Sequence, residues 1–210
     1  MAKRLGLVHI DTGAMYRAIT YLVLKEGLDP QNEEQSCSVL DHVNLELTID
    51  SKIIINGDDV TRIIREGEVT ANVSYIASYK KIRLFLVDMQ REMSKNLSIV
   101  MDGRDIGTYV LPNADVKIFM IASVETRAQR RHKENLEKGI PSDLKEIEAV
   151  IKKRDFIDSH REFAPLVPAS DSITLDSSNI NIEEAVEACI KIIEKKVEEK
   201  NKTFIPKEGE

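Results

Sequence analysis

The chain has 210 residues, 42% of them hydrophobic and 31% charged, and its formal net charge is -6. This length is enough for one full core, or for a core with a small inserted lobe. The composition is that of a globular protein and excludes a largely disordered chain. The acidic balance argues against non-specific nucleic-acid binding, which needs a basic surface. No apolar run approaches the ~18 residues of a membrane span, and the first residues lack an apolar signal core. We therefore expect a cytoplasmic protein with no membrane or nucleic-acid partner.

The first part of the chain has the pattern of an α/β core. Basic residues followed by Gly6 are typical of a helix C-terminus. An apolar run then predicts a strand, and apolar positions at helical spacing predict a helix ended by Gly27. In order, the predicted elements are a helix end at residues 1–6, a strand at 7–11, and helices at 14–26 and 33–43.

The pattern changes between residues 36 and 95. Asn56-Gly57, between short apolar segments, is a strong signal for a hairpin turn. Short strands are predicted at residues 45–49, 53–56 and 59–60, and helices at 69–78 and 80–95. We interpret residues 36–95 as a small lobe with an antiparallel sheet, inserted into a core made of residues 1–35 and 96–210.

The parallel pattern resumes after this lobe. A basic helix begins near residue 125 and is broken at Gly139-Ile-Pro141, which suggests a lid over about residues 126–142. Ser142 is predicted to cap the next helix. The predicted elements are strands at residues 98–101, 116–121 and 172–175, helices at 143–155 and 182–200, and a polar tail at 201–210.

Three clusters of Asp and Arg, far apart in sequence, are the main candidates for a binding site. They are Asp11-Thr-Gly-Ala-Met-Tyr-Arg17, Asp102-Gly-Arg-Asp-Ile-Gly-Thr108 and Arg154-Asp-Phe-Ile-Asp-Ser-His-Arg161. The first two each follow a predicted buried strand, and open α/β sheets bind ligands beyond the carboxyl ends of their strands. Arg17 and Arg104 should therefore point into one crevice, where the planar guanidinium fork suits a phosphate. The sequence predicts a pocket for a phosphorylated polar molecule.

Two of these clusters also have a simpler interpretation. The turn with Arg104 would hold phosphate while Asp102 and Asp105 orient it, or it is a surface turn with a local ion pair. In the third cluster, Arg154, Asp158 and Arg161 have i, i+4, i+7 spacing, so on a helix they share one face. That face would be either a binding face or a solvated ladder of ion pairs.

Two further groups have both a functional and a structural interpretation. The basic helix with Arg127, Arg130 and Arg131 is either a solvated face or a lid that closes on transferring phosphates and excludes water. Ser74 and Arg83 lie on the predicted lobe, where together their donors and acceptors could suit a base edge. On the sequence alone, however, both are predicted to be surface residues. The cysteines and histidines show no metal-ligand spacing, so no metal site is predicted.

Taken in this order, the motifs resemble those of the bacterial cytidylate kinases, a family of nucleoside monophosphate kinases. The resemblance covers nearly the whole chain and also includes Asn56-Gly-Asp-Asp-Val60 and Ala164-Pro-Leu-Val-Pro168. It implies a P-loop NTPase fold, with a parallel sheet between helices, and a monomer. It also implies phosphoryl transfer from ATP, with Mg²⁺, to CMP or dCMP, giving ADP and CDP or dCDP.

The resemblance further implies roles for single residues. The implied phosphate contacts are Arg17, Arg104 and Arg161. The implied cytosine contacts are Ser74, Arg83 and Asp105. The implied sugar contacts are Arg154 and Asp158, with Thr12, Tyr16 and Asp102 also in the CMP pocket. The implied catalytic residues that close over ATP are Arg127, Arg130 and Arg131.

One motif of that family does not occur in the 210 residues, namely the phosphate-binding loop Gly-x-x-x-x-Gly-Lys-Ser/Thr. The backbone of this loop cradles the ATP phosphates, and its Ser/Thr holds magnesium. The resemblance implies that a strand, this loop and half a helix, about twenty residues, precede residue 1, with the strand between those at 98–101 and 116–121.

Two interpretations of the absent loop stay open. In one, the chain is part of a complete kinase whose start lies upstream. In the other, it is a non-catalytic CMP-binding protein without an ATP site. We favour the first, because the acceptor-site residues are all present. An RNA-binding module fits poorly with the acidic charge and the lack of aromatic platforms.

Overall fold

The structure, a computed structural model, describes residues 1–48 and 52–203, with the backbone alone for residues 200–203. The chain forms two compact units. The larger unit comprises Ala2–Leu111 and Phe156–Val167, and the smaller unit comprises Pro112–Asp155 and the chain from Pro168 onward, with Met1. Each unit contains a pair of parallel strands accompanied by helices, which confirms the predicted α/β class.

The elements of the larger unit follow the predicted order. They are α1 (Ala2–Leu5), β1 (Val8–Asp11), α2 (Thr12–Lys25), α3 (Glu33–Ser38), β2 (Leu45–Leu47), β3 (Ile53–Ile55), β4 (Asp58–Asp59), α4 (Gly67–Ile76), α5 (Lys80–Ser94) and β5 (Ile99–Asp102). Short 3-10 turns lie at Val39–Asp41 and Ile63–Arg65, and a π-helical turn lies at Ile106–Val110. This last turn was not predicted.

The elements of the smaller unit are β6 (Ile118–Ile121), α6 (Val124–Glu137), α7 (Leu144–His160), β7 (Ile173–Asp176) and α8 (Ile182–Thr203). The last five residues of α7 belong to the larger unit. The predicted cap of α7 was wrong, because the side chain of Asp143, not Ser142, accepts a hydrogen bond from the Glu146 N–H. None of the described helices is both long and apolar enough to cross a membrane.

The two parallel pairs explain where the sequence clusters lie. Strands β1 and β5 pair in parallel with Asp11 opposite Asp102, so the first two clusters begin side by side at the carboxyl ends of neighbouring strands. These strands are less buried than predicted, since only Ile10 is fully buried. Among the described residues, β5 pairs with β1 alone and β6 pairs with β7 alone. The further strand between them stays a prediction.

The predicted hairpin is confirmed. Strands β2, β3 and β4 form an antiparallel sheet, and the turn between β3 and β4 has positive φ at both Asn56 and Gly57, 49° and 89°. A two-residue turn of this kind needs a left-handed backbone at both positions, which Asn and Gly adopt at least cost. Residue 49, at the end of the first predicted strand, lies outside the described residues.

Helix α2 is the centre of the core of the larger unit. Its side chains Met15, Ile19 and Val23 are completely buried, and residues of β3, α4 and α5 belong to the same hydrophobic cluster. The segment 36–95 therefore shares one core with α2, and the lobe and lid boundaries of the sequence analysis stay predictions. Helix α8 runs to Thr203, three residues beyond its predicted end, and residues 204–210 lie outside the described residues.

Candidate functional site

The first two clusters are joined where β1 and β5 end. Asp11 caps α2, since its Oδ1 accepts a hydrogen bond from the Ala14 N–H at 2.9 Å. The hydroxyl of Thr12 donates to the backbone carbonyl of Asp102 at 2.6 Å. The carboxylate of Asp102 in turn pairs with the His9 ring at 2.6 Å. The start of α2 is therefore fixed to the first residues of the second cluster.

Gly103 is required at this junction because there is no space for a side chain. A Cβ added there would lie 2.5 Å from Thr12 Oγ1 and 2.7 Å from Ile106 Cδ1. We expect Gly103→Ala to lower the free energy of unfolding by about 1–3 kcal/mol, the usual cost of overpacking. Urea denaturation tests this, with Gly67→Ala as the control, because a Cβ at Gly67 meets no atom within 4 Å. Equal stability of the two variants would contradict the expected steric conflict.

The unpredicted π-helical turn places Asp105 in the interior. The Asp105 carbonyl accepts hydrogen bonds from the N–H groups of Tyr109 at 2.8 Å and Val110 at 3.2 Å. The guanidinium of Arg91, on α5, donates to the carbonyls of Tyr109 and Val110 at 2.8 and 3.0 Å and so closes the turn. Turns of this kind are frequent at functional sites. Sequence reasoning missed Arg91 because its partners are backbone atoms.

The carboxylate of Asp105 lies between two buried arginines. Its Oδ2 accepts a hydrogen bond from Arg83 Nη2 at 2.5 Å, and its Oδ1 lies 3.5 Å from Arg161 Nη2. The side chains of Asp105, Arg83 and Arg161 are only 5%, 1% and 5% exposed. The prediction of Arg83 as a surface residue was therefore wrong, because its guanidinium is buried against Asp105. Burial, and secondarily the charge of Arg83, lower the pKa of Arg161 below its usual range. The structure thus brings together one predicted residue from each of three distant segments.

This cluster carries polar atoms without hydrogen-bond partners. In the part of the chain that the structure describes, Arg83 Nε, Arg161 Nη2 and the Tyr16 hydroxyl are buried and make no hydrogen bond. Two guanidinium groups also face the Asp105 carboxylate, and Asp158, which acts on Arg161 as well, is paired with Arg104. The three arginines with these two carboxylates leave a net positive charge. Because buried polar groups are normally satisfied, this arrangement suits a polar ligand that accepts hydrogen bonds or carries negative charge.

The phenol of Tyr16 gives this cluster a testable alkaline signature. Burial raises the pKa of Tyr16 to about 12, against a lowering effect of the Arg83 guanidinium, which lies 5.4 Å from the ring centroid. An unfolded tyrosine ionises near pH 10, so the stability due to the neutral phenol is present below about pH 10 and is lost as the pH rises towards 12. We expect one tyrosine to titrate late in near-ultraviolet absorbance.

The variant that identifies this tyrosine is Tyr16→Phe, in which the late phase should vanish. Tyr79→Phe is the matched control, since burial also raises the pKa of Tyr79 but its hydroxyl already donates to the Pro30 carbonyl. Loss of the phase near pH 12 in Tyr79→Phe instead of Tyr16→Phe would contradict the assignment.

The second and third clusters meet through Arg104 and Asp158. Arg104 Nε donates to Asp158 Oδ2 at 2.9 Å, and the two side chains are 41% and 6% exposed. The backbone carbonyl of Asp158 also accepts from the Leu166 N–H at 2.8 Å, and Arg161 Nε donates to the Ala164 carbonyl at 2.6 Å. Asp158 is therefore buried and paired with Arg104 of another segment, so this ion pair does not belong to a solvated ladder within the third cluster.

The remaining residues of the larger unit lie around α2 and α4. Arg17 Nη1 donates to Thr70 Oγ1 at 2.8 Å, and Arg65 Nη2 donates to Asp11 Oδ2 at 3.0 Å. Ser74 is half-buried on α4, one turn after Thr70. The sequence analysis did not single out Thr70 or Arg65. Arg65 precedes the helix predicted at residues 69–78, and Thr70 lies in its first turn. This position is the sequence signal that could have pointed to them.

The predicted lid residues lie in the smaller unit, and two of them form hydrogen bonds within it. Arg127 makes two hydrogen bonds to the Asp155 carboxylate, at 2.9 and 2.6 Å. Arg130 Nη2 donates to the backbone carbonyls of Ser177 and Ile180. Arg131 lines a cleft of about 220 Å³ between α6 and α7, and Arg154 is half-buried on α7. No three His, Cys, Asp or Glu residues among those described are grouped to hold a metal ion.

Comparison with known proteins gives a consistent result. A family model described as cytidylate kinase matches residues 1–195. The cytidylate kinase of Oceanobacillus iheyensis is 47% identical over 205 residues, which cover 96% of this chain and 89% of that protein. The cytidylate kinase of Geobacillus sp. (strain WCH70) is 48% identical over 200 residues, 94% of this chain and 89% of that protein. The cytidylate kinase of Bacillus cereus (strain B4264) is 47% identical over 196 residues, which cover 92% of this chain and 87% of that protein.

Proposed function

The chain belongs to the cytidylate kinase family, and from this premise we propose that it transfers the γ-phosphoryl group of ATP to CMP or dCMP. The products are ADP and CDP or dCDP. The parallel strands and helices fit the P-loop NTPase fold of nucleoside monophosphate kinases. The alternative of a CMP-binding protein without catalysis is not favoured, since the relatives are named as kinases.

The observation that carries the proposal is the buried cluster of Asp105 with Arg83 and Arg161. Cytosine offers an amino donor and two acceptors on one edge, N3 and O2. Asp105 is proposed to accept from the cytosine amino group, while the unpartnered Arg83 Nε is a donor for the base acceptors. Ser74, with both a donor and an acceptor, completes the set. Thr12 and Tyr16 line the same pocket in this proposal.

The phosphate of CMP is proposed to bind among Arg17, Arg104 and Arg161. Arg104 is the clearest case, because its Nε is occupied by Asp158 while the guanidinium is 41% exposed. This contact orients the planar fork and leaves both terminal NH₂ groups to form paired hydrogen bonds with phosphate oxygens. We propose sugar contacts for Asp158 and Arg154, and a phosphate-side role for Asp102.

The chemical step needs positioning and charge stabilisation more than covalent participation. A phosphate oxygen of CMP forms a new bond to the γ-phosphorus of ATP, the bond from that phosphorus to the β–γ bridging oxygen breaks, and ADP leaves with the electron pair. No covalent enzyme intermediate forms. We propose that Arg127, Arg130 and Arg131 contribute positive charge near the transferring group and help to exclude water.

The identity of the phosphate donor follows from family membership. Membership of the cytidylate kinase family implies that the donor is ATP. We propose magnesium as the ion that arrives with ATP, since Mg²⁺ in such sites is held largely by substrate phosphates and water, and the described residues form no ligand set of their own. We propose that the protein acts as a monomer in the cytoplasm.

The direct test of this function is ADP formation by the protein purified from its own cells. We expect ADP to form from ATP only when CMP or dCMP is supplied, and at a much lower rate with AMP. A preparation that is folded, binds CMP and produces no ADP with CMP, dCMP or UMP would contradict the proposed enzyme. The Arg104→Ala variant, purified in the same way, is the control for a contaminating kinase. Its rate of ADP formation should fall, whereas the rate due to a contaminant would not change.

A further inference from the structure

A series of hydrogen bonds connects the N-terminal parts of α2 and α4, and we call it the α2–α4 clasp. Its members are Asp11, Arg65, Thr70 and Arg17. Asp11 caps α2 with one carboxylate oxygen and accepts from Arg65 with the other. The Thr70 hydroxyl accepts from Arg17 Nη1 at 2.8 Å and lies 3.5 Å from the Arg65 carbonyl, to which it donates. No family motif in the sequence analysis includes Thr70 or Arg65.

Thr70 holds Arg17 in a way that differs from the contact made by Arg104. Arg104 donates to a carboxylate, whereas the group that accepts from Arg17 Nη1 is the neutral hydroxyl of Thr70. With its proton directed to the Arg65 carbonyl, the hydroxyl presents a lone pair to the guanidinium. The hydroxyl therefore fixes the direction of Arg17 Nη1 and adds no negative charge of its own.

The helix geometry supports the same interpretation. Thr70 lies in the first turn of α4 and is β-branched, so its side chain has few rotamers. Ser74, a proposed base contact, lies one turn later on α4. Residues four apart lie on the same helix face. Helix α4 thereby presents one residue to the base contacts and another to the arginine at the phosphate.

We propose that Thr70 is a positioning residue for the nucleotide phosphate, and that it acts by holding Arg17 in its phosphate-binding orientation. The inference rests on the proposed CMP site. With this role, Thr70 contributes to the discrimination between a nucleotide and its nucleoside, because only a ligand with a phosphate binds Arg17.

The test is a set of calorimetric titrations of the chain with CMP and with cytidine. We expect Thr70→Val, which replaces the hydroxyl by a methyl group, to weaken CMP binding about three- to tenfold, the effect of one hydrogen bond. Cytidine binding should stay unchanged. Thr70→Ser keeps the hydroxyl and should retain wild-type affinity, and Thr174→Val, an exposed threonine of β7, is the matched control for the substitution itself.

A double-mutant cycle separates positioning from a general structural role. In an Arg17→Ala background, Thr70→Val should cause no further loss of CMP affinity, because the group it positions is gone. Equal CMP affinity of wild type and Thr70→Val, an equal loss for CMP and cytidine, or an undiminished loss in the Arg17→Ala background would each overturn the proposal. Failure of the wild-type chain to bind CMP would instead contradict the proposed function itself.

Discussion

Asp105→Asn is expected to lower the free energy of unfolding by about 3–5 kcal/mol, the cost of breaking a buried ion pair from one side. The substitution keeps the shape of the side chain but removes the carboxylate charge that lies between Arg83 and Arg161. Both guanidinium groups are 95% buried or more, so the interior would hold two positive charges with much less compensation. Urea denaturation at neutral pH, followed by circular dichroism, measures the change.

The matched control for this variant is Asp58→Asn. Asp58 also forms an ion pair, with Lys25 at 2.8 Å, but the pair is on the surface and Asp58 is 60% exposed. Surface pairs contribute about 0–1 kcal/mol, so this variant should unfold almost as wild type does. If Asp105→Asn were also within about 1 kcal/mol of wild type, the cluster would not be the buried, charge-compensated unit that its geometry indicates.

Arg104→Ala is expected to weaken CMP binding about 10- to 100-fold with little loss of stability. The removed guanidinium supplies charge-assisted hydrogen bonds to the proposed phosphate, worth about 1.5–3 kcal/mol, and each 1.4 kcal/mol is about tenfold in affinity. Arg104 is 41% exposed, and although its partner Asp158 is only 6% exposed, the charge of Arg161 remains near that carboxylate. The loss of the ion pair is therefore expected to cost only about 1–2 kcal/mol of folding free energy. Titration calorimetry measures the affinity, and thermal melting measures the stability.

The control for Arg104→Ala is Arg62→Ala, an exposed arginine of the same unit, which should change neither quantity. Cytidine provides a second control, because its binding does not use the phosphate arginines. A collapse of the melting temperature in Arg104→Ala would show that Arg104 is structural. An unchanged CMP affinity would remove it from the proposed phosphate site.

The sequence predicts the larger unit well where local signals are strong. The apolar run before Asp11, the Asn56-Gly57 turn and Gly6 at the end of a helix each dictate a local backbone conformation, and each is confirmed. The grouping of Arg83, Asp105 and Arg161 was implied only through the family resemblance. Their contacts join segments 22 residues apart or more, which no local pattern encodes.

The parts that the sequence did not predict depend on long-range contacts. The bond from Arg17 to Thr70 spans 53 positions, and Thr70 has no distinctive motif around it. The π-helical turn after Asp105 depends on Arg91 of α5, whose guanidinium donates hydrogen bonds to two carbonyls of the turn. The start of α7 shows a smaller error of the same origin, since Ser142 hydrogen-bonds with His132 at 2.9 Å and leaves capping to Asp143.

Titration of the chain with CMP and with AMP would establish whether the larger unit contains a site for CMP. We expect one equivalent of CMP to bind without ATP, and AMP to bind at least about tenfold more weakly, since a mismatched base edge costs about 1–3 kcal/mol. No binding of CMP by the folded chain, or equal binding of CMP and AMP, would contradict the proposed CMP site.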